Sequence, residues 1–372
     1  MILLPQEAGS PHPVTGGLPS PGVLTTENTD KMGGSGNNMA PLTANDDMIF
    51  IGPRGAFTMV ALQDRGSHLQ LEVAMTENTK ERTVEFLSDG HVIRGVLGVP
   101  DGDGPFPIVI LGQGLAGLKE WTLPEVGAAL IQVGIAALWF DYRNFGDSDG
   151  LPRDEVSHYG RLQDWQDAIS YAASLPEVDV QKLGIWGTSL GGRDVLAVAA
   201  IDRRVKAVVS QTPLIKWTTA LAARMAGYGT DLERFFRELA DDRIKRTLAE
   251  APCYVPVVKA SGDDAKVAFI AGLSEGDKRN YSGRVTLQSY QPTTLVDVIP
   301  LVELISPTPV LFILAEQDFL PGQKEAYHAA KDPKSLVTIG GDHFGPYTVS
   351  KSDSITATTG WFKKRFLAES MQ

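Results

Sequence analysis

Lys182-Leu-Gly-Ile-Trp-Gly-Thr-Ser-Leu-Gly-Gly-Arg-Asp-Val-Leu-Ala-Val-Ala-Ala200 is the stretch on which the fold turns. Leu183, Ile185 and Trp186 make the short apolar run of a buried strand, and Asp194 to Ala200 is rich in helix formers. Between them Gly187, Gly191 and Gly192 surround Ser189, so the chain can pass from strand to helix through a bend too crowded for side chains. Such a bend lifts a serine hydroxyl above a sheet and aims the helix N-terminus at negative charge developing on a substrate oxygen. Ser189 is the candidate nucleophile.

The G-x-S-x-G spacing occurs a second time, as Gly146-Asp-Ser148-Asp-Gly150, and 38 glycines in 372 residues give the pattern alone little weight. Context separates the two. Ser148 is flanked by Asp147 and Asp149, whose charge opposes an alkoxide, and is followed by Leu151-Pro152 rather than a helix. It reads as a glycine-rich loop at a strand end.

Outward from Ser189, strand and helix signals alternate, which predicts an α/β fold: a mainly parallel sheet covered by helices. Arg82 to Leu87 and His91 to Val99 form a hairpin about Asp89-Gly90. Pro107 to Leu111 and Ile135 to Phe140 are buried strands, with a helix over Pro124 to Val133; Tyr159 to Leu175 is a helix and Val205 to Ser210 a strand. The rhythm breaks from Leu214 to about Leu304, where only Leu232 to Ala249 has a clear helical pattern, so residues 214–305 are expected to be an inserted, largely helical cap. It resumes with a strand over Pro309 to Leu314, a helix over Gly322 to Ala330, a strand over Ser335 to Ile339 and a helix from Ser354 to Phe366. The core is thus expected over 75–213 and 306–372. Residues 1–74, dominated by Gly, Pro, Ser, Thr and Asn as far as Asn45, are expected to be a disordered or accessory segment.

A serine hydroxyl needs a base, and the base an orienting acid. His328 and His343 are the histidines downstream of Ser189. His328 lies in a helical stretch, whereas His343 follows a strand and the pair Gly340-Gly341, in a loop able to return over the serine. His343 is the candidate base. Asp318 lies just past the strand Pro309 to Leu314, where ligand-facing residues of a parallel sheet belong. It is the favoured acid, with Glu316 the competitor. For the oxyanion hole, one N–H is expected from Leu190 and a second from Gly112-Gln-Gly-Leu-Ala-Gly, with Leu115 first choice and Gly114 second. Trp217, Tyr228, Phe235, Phe236 and Tyr254 are candidates to line an apolar acyl pocket.

The order Gly112-Gln-Gly-Leu, Asp141-Tyr-Arg-Asn-Phe-Gly-Asp-Ser-Asp-Gly, Gly187-Thr-Ser-Leu-Gly-Gly, Asp318 and His343 resembles the α/β-hydrolase superfamily over about Thr83 to Leu367. Ile185-Trp-Gly-Thr-Ser-Leu-Gly-Gly, with Gly283-Arg-Val-Thr-Leu-Gln-Ser-Tyr and Ser306-Pro-Thr-Pro, is more narrowly similar to polyketide acyltransferases and hydrolases and to dienelactone-hydrolase-like esterases. The resemblance implies a Ser-His-Asp site, no metal and an acyl or ester substrate. Two positions depart from it: Gln113 stands where many relatives have histidine, and Asp342 intervenes between the glycines and His343.

A net charge of −11 leaves no basic stripe for phosphate backbones, so nucleic acid is not an expected partner. The single cysteine, Cys253, excludes an intrachain disulfide and cysteine-type metal sites. No nucleotide fingerprint accompanies the Gly112 loop, and no cofactor is expected. No uncharged apolar run reaches the ~20 residues of a membrane helix, and Met1 to Leu4 is too short for a signal-peptide core, so a cytoplasmic, membrane-free protein is expected. Its partner is a small-molecule acyl substrate, a homodimer being left open. The expected function is serine-dependent hydrolysis of an ester or thioester through an acyl-enzyme, with a place in secondary metabolism. The alternatives are transfer of a polyketide-type acyl group to an alcohol or amine, C–C bond hydrolysis, and a non-catalytic ligand-binding homologue.

Overall fold

Alternating apolar residues in the central strands divide between the two faces of one sheet. Ile108 and Ile110 pack on one side with Leu138, Phe140, Val208 and Phe312, while Val109 and Leu111 pack on the other with Ala137, Trp139, Val209 and Leu311. Burial on both faces is why these strands read as unbroken apolar runs. The computed structural model describes residues 80–216, 221, 230–258, 264–291 and 297–368, all within the unit Glu77–Gln372. The segment expected over 1–74 lies outside the described residues, as do Trp217 and Tyr228.

The chain opens with β1 (Lys80–Ser88) and β2 (His91–Val99), an antiparallel hairpin turning at Asp89 and Gly90. It continues through β3 (Phe106–Gly112), α1 (Leu123–Gln132), β4 (Ala136–Phe140), α2 (His158–Ala173), β5 (Val178–Thr188), α3 (Leu190–Ile201) and β6 (Ala207–Gln211). Beyond residue 305 come β9 (Val310–Ala315), α8 (Gln323–Ala329), β10 (Lys334–Ile339) and α9 (Lys351–Phe366). Among the described residues the sheet has eight strands in the order β1-β2-β4-β3-β5-β6-β9-β10. All neighbours from β4 onward are parallel. Helices α2 and α3 cover one face; α1 and α9 cover the other. The α/β architecture is the expected one.

Among the described residues of 214–305, the stretch expected to be a cap, are α4 (Leu232–Thr247), β7 (Tyr254–Pro256), α5 (Asp264–Gly272), α6 (Glu275–Lys278), β8 (Arg284–Thr286) and α7 (Ile299–Val302). Helix α4 is amphipathic, capped by the Asp231 side chain, and buries Phe235 and Leu239. Strands β7 and β8 pair antiparallel, which the sequence did not announce because three-residue strands are too short to show a period. The end of the stretch assigned to the insertion is also part of the main core: Val298, Val302 and Ile305 pack with Val195 and Val198 of α3. The rest forms a third apolar cluster with Trp121, Phe145 and Leu190, which lie on loops and the helix end at the C-terminal edge of the sheet. No helix among the described residues is long and apolar enough to cross a membrane.

Candidate active site

At the end of β5 the backbone of Ser189 is held at φ 56° and ψ −116°, outside the regions an L-residue favours. The bend is tight. A Cβ on Gly187 would lie 2.2 Å from the Gly191 carbonyl oxygen, and one on Gly191 would lie 2.5 Å from that of Gln113. Glycine at these two positions lets strand, elbow and neighbouring loop close around Ser189.

The structure brings Ser189, His343 and Asp318 together. His343 Nε2 lies 3.0 Å from Ser189 Oγ, and His343 Nδ1 lies 2.9 Å from Asp318 Oδ2. Both His343 and Asp318 side chains are almost wholly buried. With the ring proton on Nδ1 directed to the carboxylate, Nε2 is left as the acceptor facing the serine hydroxyl. Asp318 is itself held: Oδ1 accepts from the Leu320 N–H at 2.9 Å and Oδ2 from the Gln323 amide at 2.8 Å. Burial acts to raise its pKa, but the bond to His343, the charge of that ring and the Leu320 and Gln323 donors outweigh it, leaving the carboxyl below its ordinary range.

The other candidates stand elsewhere. Glu316 is exposed, its N–H pairing with the Ile339 carbonyl at the sheet edge. His328 is exposed on α8 beside Tyr327. Asp342 turns its carboxylate to the Phe344 N–H at 2.8 Å and so shapes the histidine loop from outside the Ser-His-Asp line. Ser148 is buried, donating to the Asp141 carbonyl at 2.6 Å and accepting from the Arg94 N–H at 2.9 Å. It is a fastener between β2 and the loop after β4. Ser148→Ala is expected to leave ester turnover within about twofold of wild type while losing roughly 1–3 kcal/mol of stability, a few degrees in Tm. A p-nitrophenyl ester assay beside a thermal melt checks both.

Gly114 lies against Ser189: a Cβ there would be 2.9 Å from Ser189 Cβ and 3.4 Å from Oγ. Its N–H, however, donates to Gln113 Oε1 at 3.1 Å. The other end of the Gln113 amide donates to the Trp121 carbonyl and to Thr122 Oγ1, so this side chain is a strut inside the loop. Leu115 follows, and Leu190 opens α3, where the helix offers its N–H no intrahelical acceptor.

Sequence reading missed several residues around the site. The Tyr347 hydroxyl meets Thr188 Oγ1 beside the elbow, tying the histidine loop to β5; Gln211 Nε2 donates to the same oxygen at 3.1 Å. Burial pushes the Tyr347 phenol up to about 12. Aromatic residues beyond those expected also stand near the site. Phe235 packs on Tyr290, Phe236 is exposed, and Tyr254 bonds the Arg153 carbonyl. Phe269 of α5 instead meets Trp121, Phe344 and Tyr347, with ring centroids 6.0, 5.8 and 5.3 Å apart, and Tyr281 meets Trp121 at 4.7 Å. Phe269 was hidden because helix α5 has almost no amphipathic period to mark an inward face, and Tyr281 because it lies past the end of α6, outside any periodic element.

Glu120, Asp141 and Asp147 bring carboxylate oxygens close enough to share one cation. Lys119 supplies it: Nζ lies 2.7 Å from Glu120, 2.8 Å from Asp141 and within bonding distance of Asp147. Burial disfavours the ammonium, but the Asp141 charge and three hydrogen bonds raise its pKa well above the ordinary lysine value.

Comparison with known proteins follows the same lines. Residues 68–225 match the family model described as Esterase FrsA-like. The quorum-quenching protein AidA of Acinetobacter baumannii (strain MDR-ZJ06) is 31% identical over 297 residues, 76% of this chain and 94% of that protein. The thiohydrolase aneE of Aspergillus aculeatus is 27% identical, covering 70% of this chain and 86% of that one. The crystal structure of the α/β hydrolase GrgF from Penicillium sp. sh18 superimposes with a TM-score of 0.68 at 26% identity, over 77% of this chain and 99% of its own. The polyketide transferase grgF of Penicillium is 29% identical over 79% of this chain and its whole length.

Proposed function

Because the chain belongs to the FrsA-like esterase family of α/β-hydrolases, we propose that it cleaves an ester or thioester through an acyl-enzyme on Ser189. The observation that carries this reading is the continuous line Ser189 Oγ, His343 Nε2, His343 Nδ1, Asp318 Oδ2, with steps of 3.0 and 2.9 Å. In the first half-reaction His343 takes the Ser189 proton as Oγ attacks the substrate carbonyl. The tetrahedral oxyanion is received by the N–H groups of Leu190 and Leu115, since the Gly114 N–H is already engaged. Protonated His343, stabilised by Asp318, then gives its proton to the departing alkoxide or thiolate. In the second half-reaction water, deprotonated by His343, attacks the acyl group and frees Ser189.

Acyl transfer is the second reading, and the full-length likeness to a protein named polyketide transferase favours it. The acyl-enzyme is common to both; an alcohol or amine then replaces water. We take residues 214–305 as the cap that decides between them, because Phe269 and Tyr281 stand over Trp121 and the histidine loop. The test is reaction with a fluorophosphonate followed by a p-nitrophenyl ester chain-length series with and without a competing alcohol. Labelling at Ser189 with product divided between acid and ester supports transfer; acid alone supports hydrolysis; a folded sample that takes no label points to a non-catalytic homologue.

The pH dependence of stability follows from the acid. Asp318 has its folded-state pKa lowered, so its contribution to stability is full above the unfolded value of about 3.9 and is lost as pH falls through the folded value. Thermal melts of wild type below about pH 4 should therefore lose more Tm than those of Asp318→Asn.

A further inference from the structure

Beneath the elbow lies a buried charged group that the chemistry above does not use. Arg161 of α2 is fully enclosed: its Nε donates to Asp194 Oδ2 at 2.7 Å, its Nη2 donates to the Gln113 carbonyl at 2.9 Å, and its guanidinium carbon stands 3.5 Å from the centre of the Tyr142 ring. Asp194 is on α3, the helix that Leu190 opens; Gln113 is on the loop that carries Leu115. One planar fork therefore grips both segments that supply the oxyanion donors. By drawing the Gln113 carbonyl to itself, it also turns the Gly114 N–H of the same peptide to the opposite side, where Gln113 Oε1 takes it.

The surroundings are costly for a purely structural brace. Arg193 shares the same carboxylate, meeting Asp194 Oδ1 at 3.1 Å and His158 Nδ1 at 2.5 Å. Burial, with the Arg193 and Arg161 charges, pushes His158 down to about 2, so it stays neutral and adds no third positive charge. Arg193 Nε and Nη1 have no hydrogen-bond partner among the described residues. Two enclosed guanidiniums on one carboxylate are poorer for stability than an apolar filling of similar volume, and departures of this kind concentrate where function demands them.

We infer that Arg161 is a positioning residue for the oxyanion hole, setting the separation and aim of the Leu190 and Leu115 N–H groups through Asp194 and the Gln113 carbonyl. The inference rests on Ser189 being the nucleophile. A lysine at 161 keeps a cation beside Asp194 but cannot span both anchors, because an ammonium is a point donor without the fork. Arg193 provides the control, since it shares the carboxylate without touching the loop.

Purified full-length wild type, Arg161→Lys, Asp194→Asn and Arg193→Met would be compared by kcat and KM on a p-nitrophenyl ester. Each is referred to the fraction of sites titrated by fluorophosphonate, and each is assayed for inhibition by a trifluoromethyl ketone, whose adduct places an oxyanion in the hole. Arg161→Lys should lower kcat and trifluoromethyl ketone affinity together by about tenfold to 100-fold with KM within twofold, as for a misaligned oxyanion donor. Asp194→Asn should give a smaller loss of the same kind, and remains informative if Arg161→Lys does not fold. Arg193→Met should leave both constants within about threefold of wild type. Unchanged kcat per titrated site in Arg161→Lys and Asp194→Asn, with only Tm reduced, would overturn the inference, as would equal losses in Arg193→Met. Wild type that takes no label would instead overturn the Ser189 reading, which separates the two failures.

Discussion

Ser189→Ala is expected to lower ester turnover by about 10⁴-fold or more and to abolish fluorophosphonate labelling, because nothing else at the site can form the acyl-enzyme. Ser148, the other serine in the same spacing, is buried with its hydroxyl committed to the Asp141 carbonyl and the Arg94 N–H. It cannot substitute. Ser189→Ala keeps the left-handed φ of 56° and its strain, so its Tm should stay close to wild type. Ser189→Gly removes the steric objection to that φ and should melt higher while being equally inactive. The two variants together separate lost chemistry from lost structure. Measured turnover in Ser189→Ala above about a hundredth of wild type would mean that the nucleophile is elsewhere.

The second large effect is expected at the acid. Asp318→Asn should reduce kcat by roughly 10³- to 10⁴-fold, since an amide nitrogen facing Nδ1 favours the ring tautomer with its proton on Nε2, where it blocks acceptance from Ser189. The amide oxygen can still take the Leu320 N–H, so the turn after β9 should survive and the protein should fold. Glu316→Gln should leave kcat within about twofold, because that side chain is exposed beside the sheet edge. Steady-state kinetics on the two purified variants decide the matter. A large loss in Glu316→Gln with a small one in Asp318→Asn would reverse the assignment.

These two expectations differ in how early they were visible. The elbow is local: an apolar strand, glycines at the crowded positions and a helix-forming run all lie within Lys182 to Ala200, so Ser189 could be separated from Ser148 by neighbours alone. The acid was ambiguous because Glu316 and Asp318 stand side by side after the same strand, and strand periodicity stops there. The turn gives them different surroundings: the Leu320 N–H and the first residue of α8, Gln323, both hold the Asp318 carboxylate, whereas Glu316 leaves the sheet toward solvent. The aromatic wall was missed for a related reason. Phe269 lies on a helix with no apolar stripe, and only its packing on Trp121, Phe344 and Tyr347 reveals which way it faces.

Read alone, the amino-acid order established the layered α/β architecture, the strand-to-helix bend and the histidine loop, since each follows from side-chain periods and glycine placement over a few neighbouring residues. Tertiary structure alone decided that Gln113 engages the Gly114 N–H, that Lys119 bonds three carboxylates, and that Arg161 joins the Gln113 loop to α3. Those contacts connect polar groups from different elements, and buried polar groups leave no periodic trace in a chain: their partners are chosen by how helices and loops pack over the sheet.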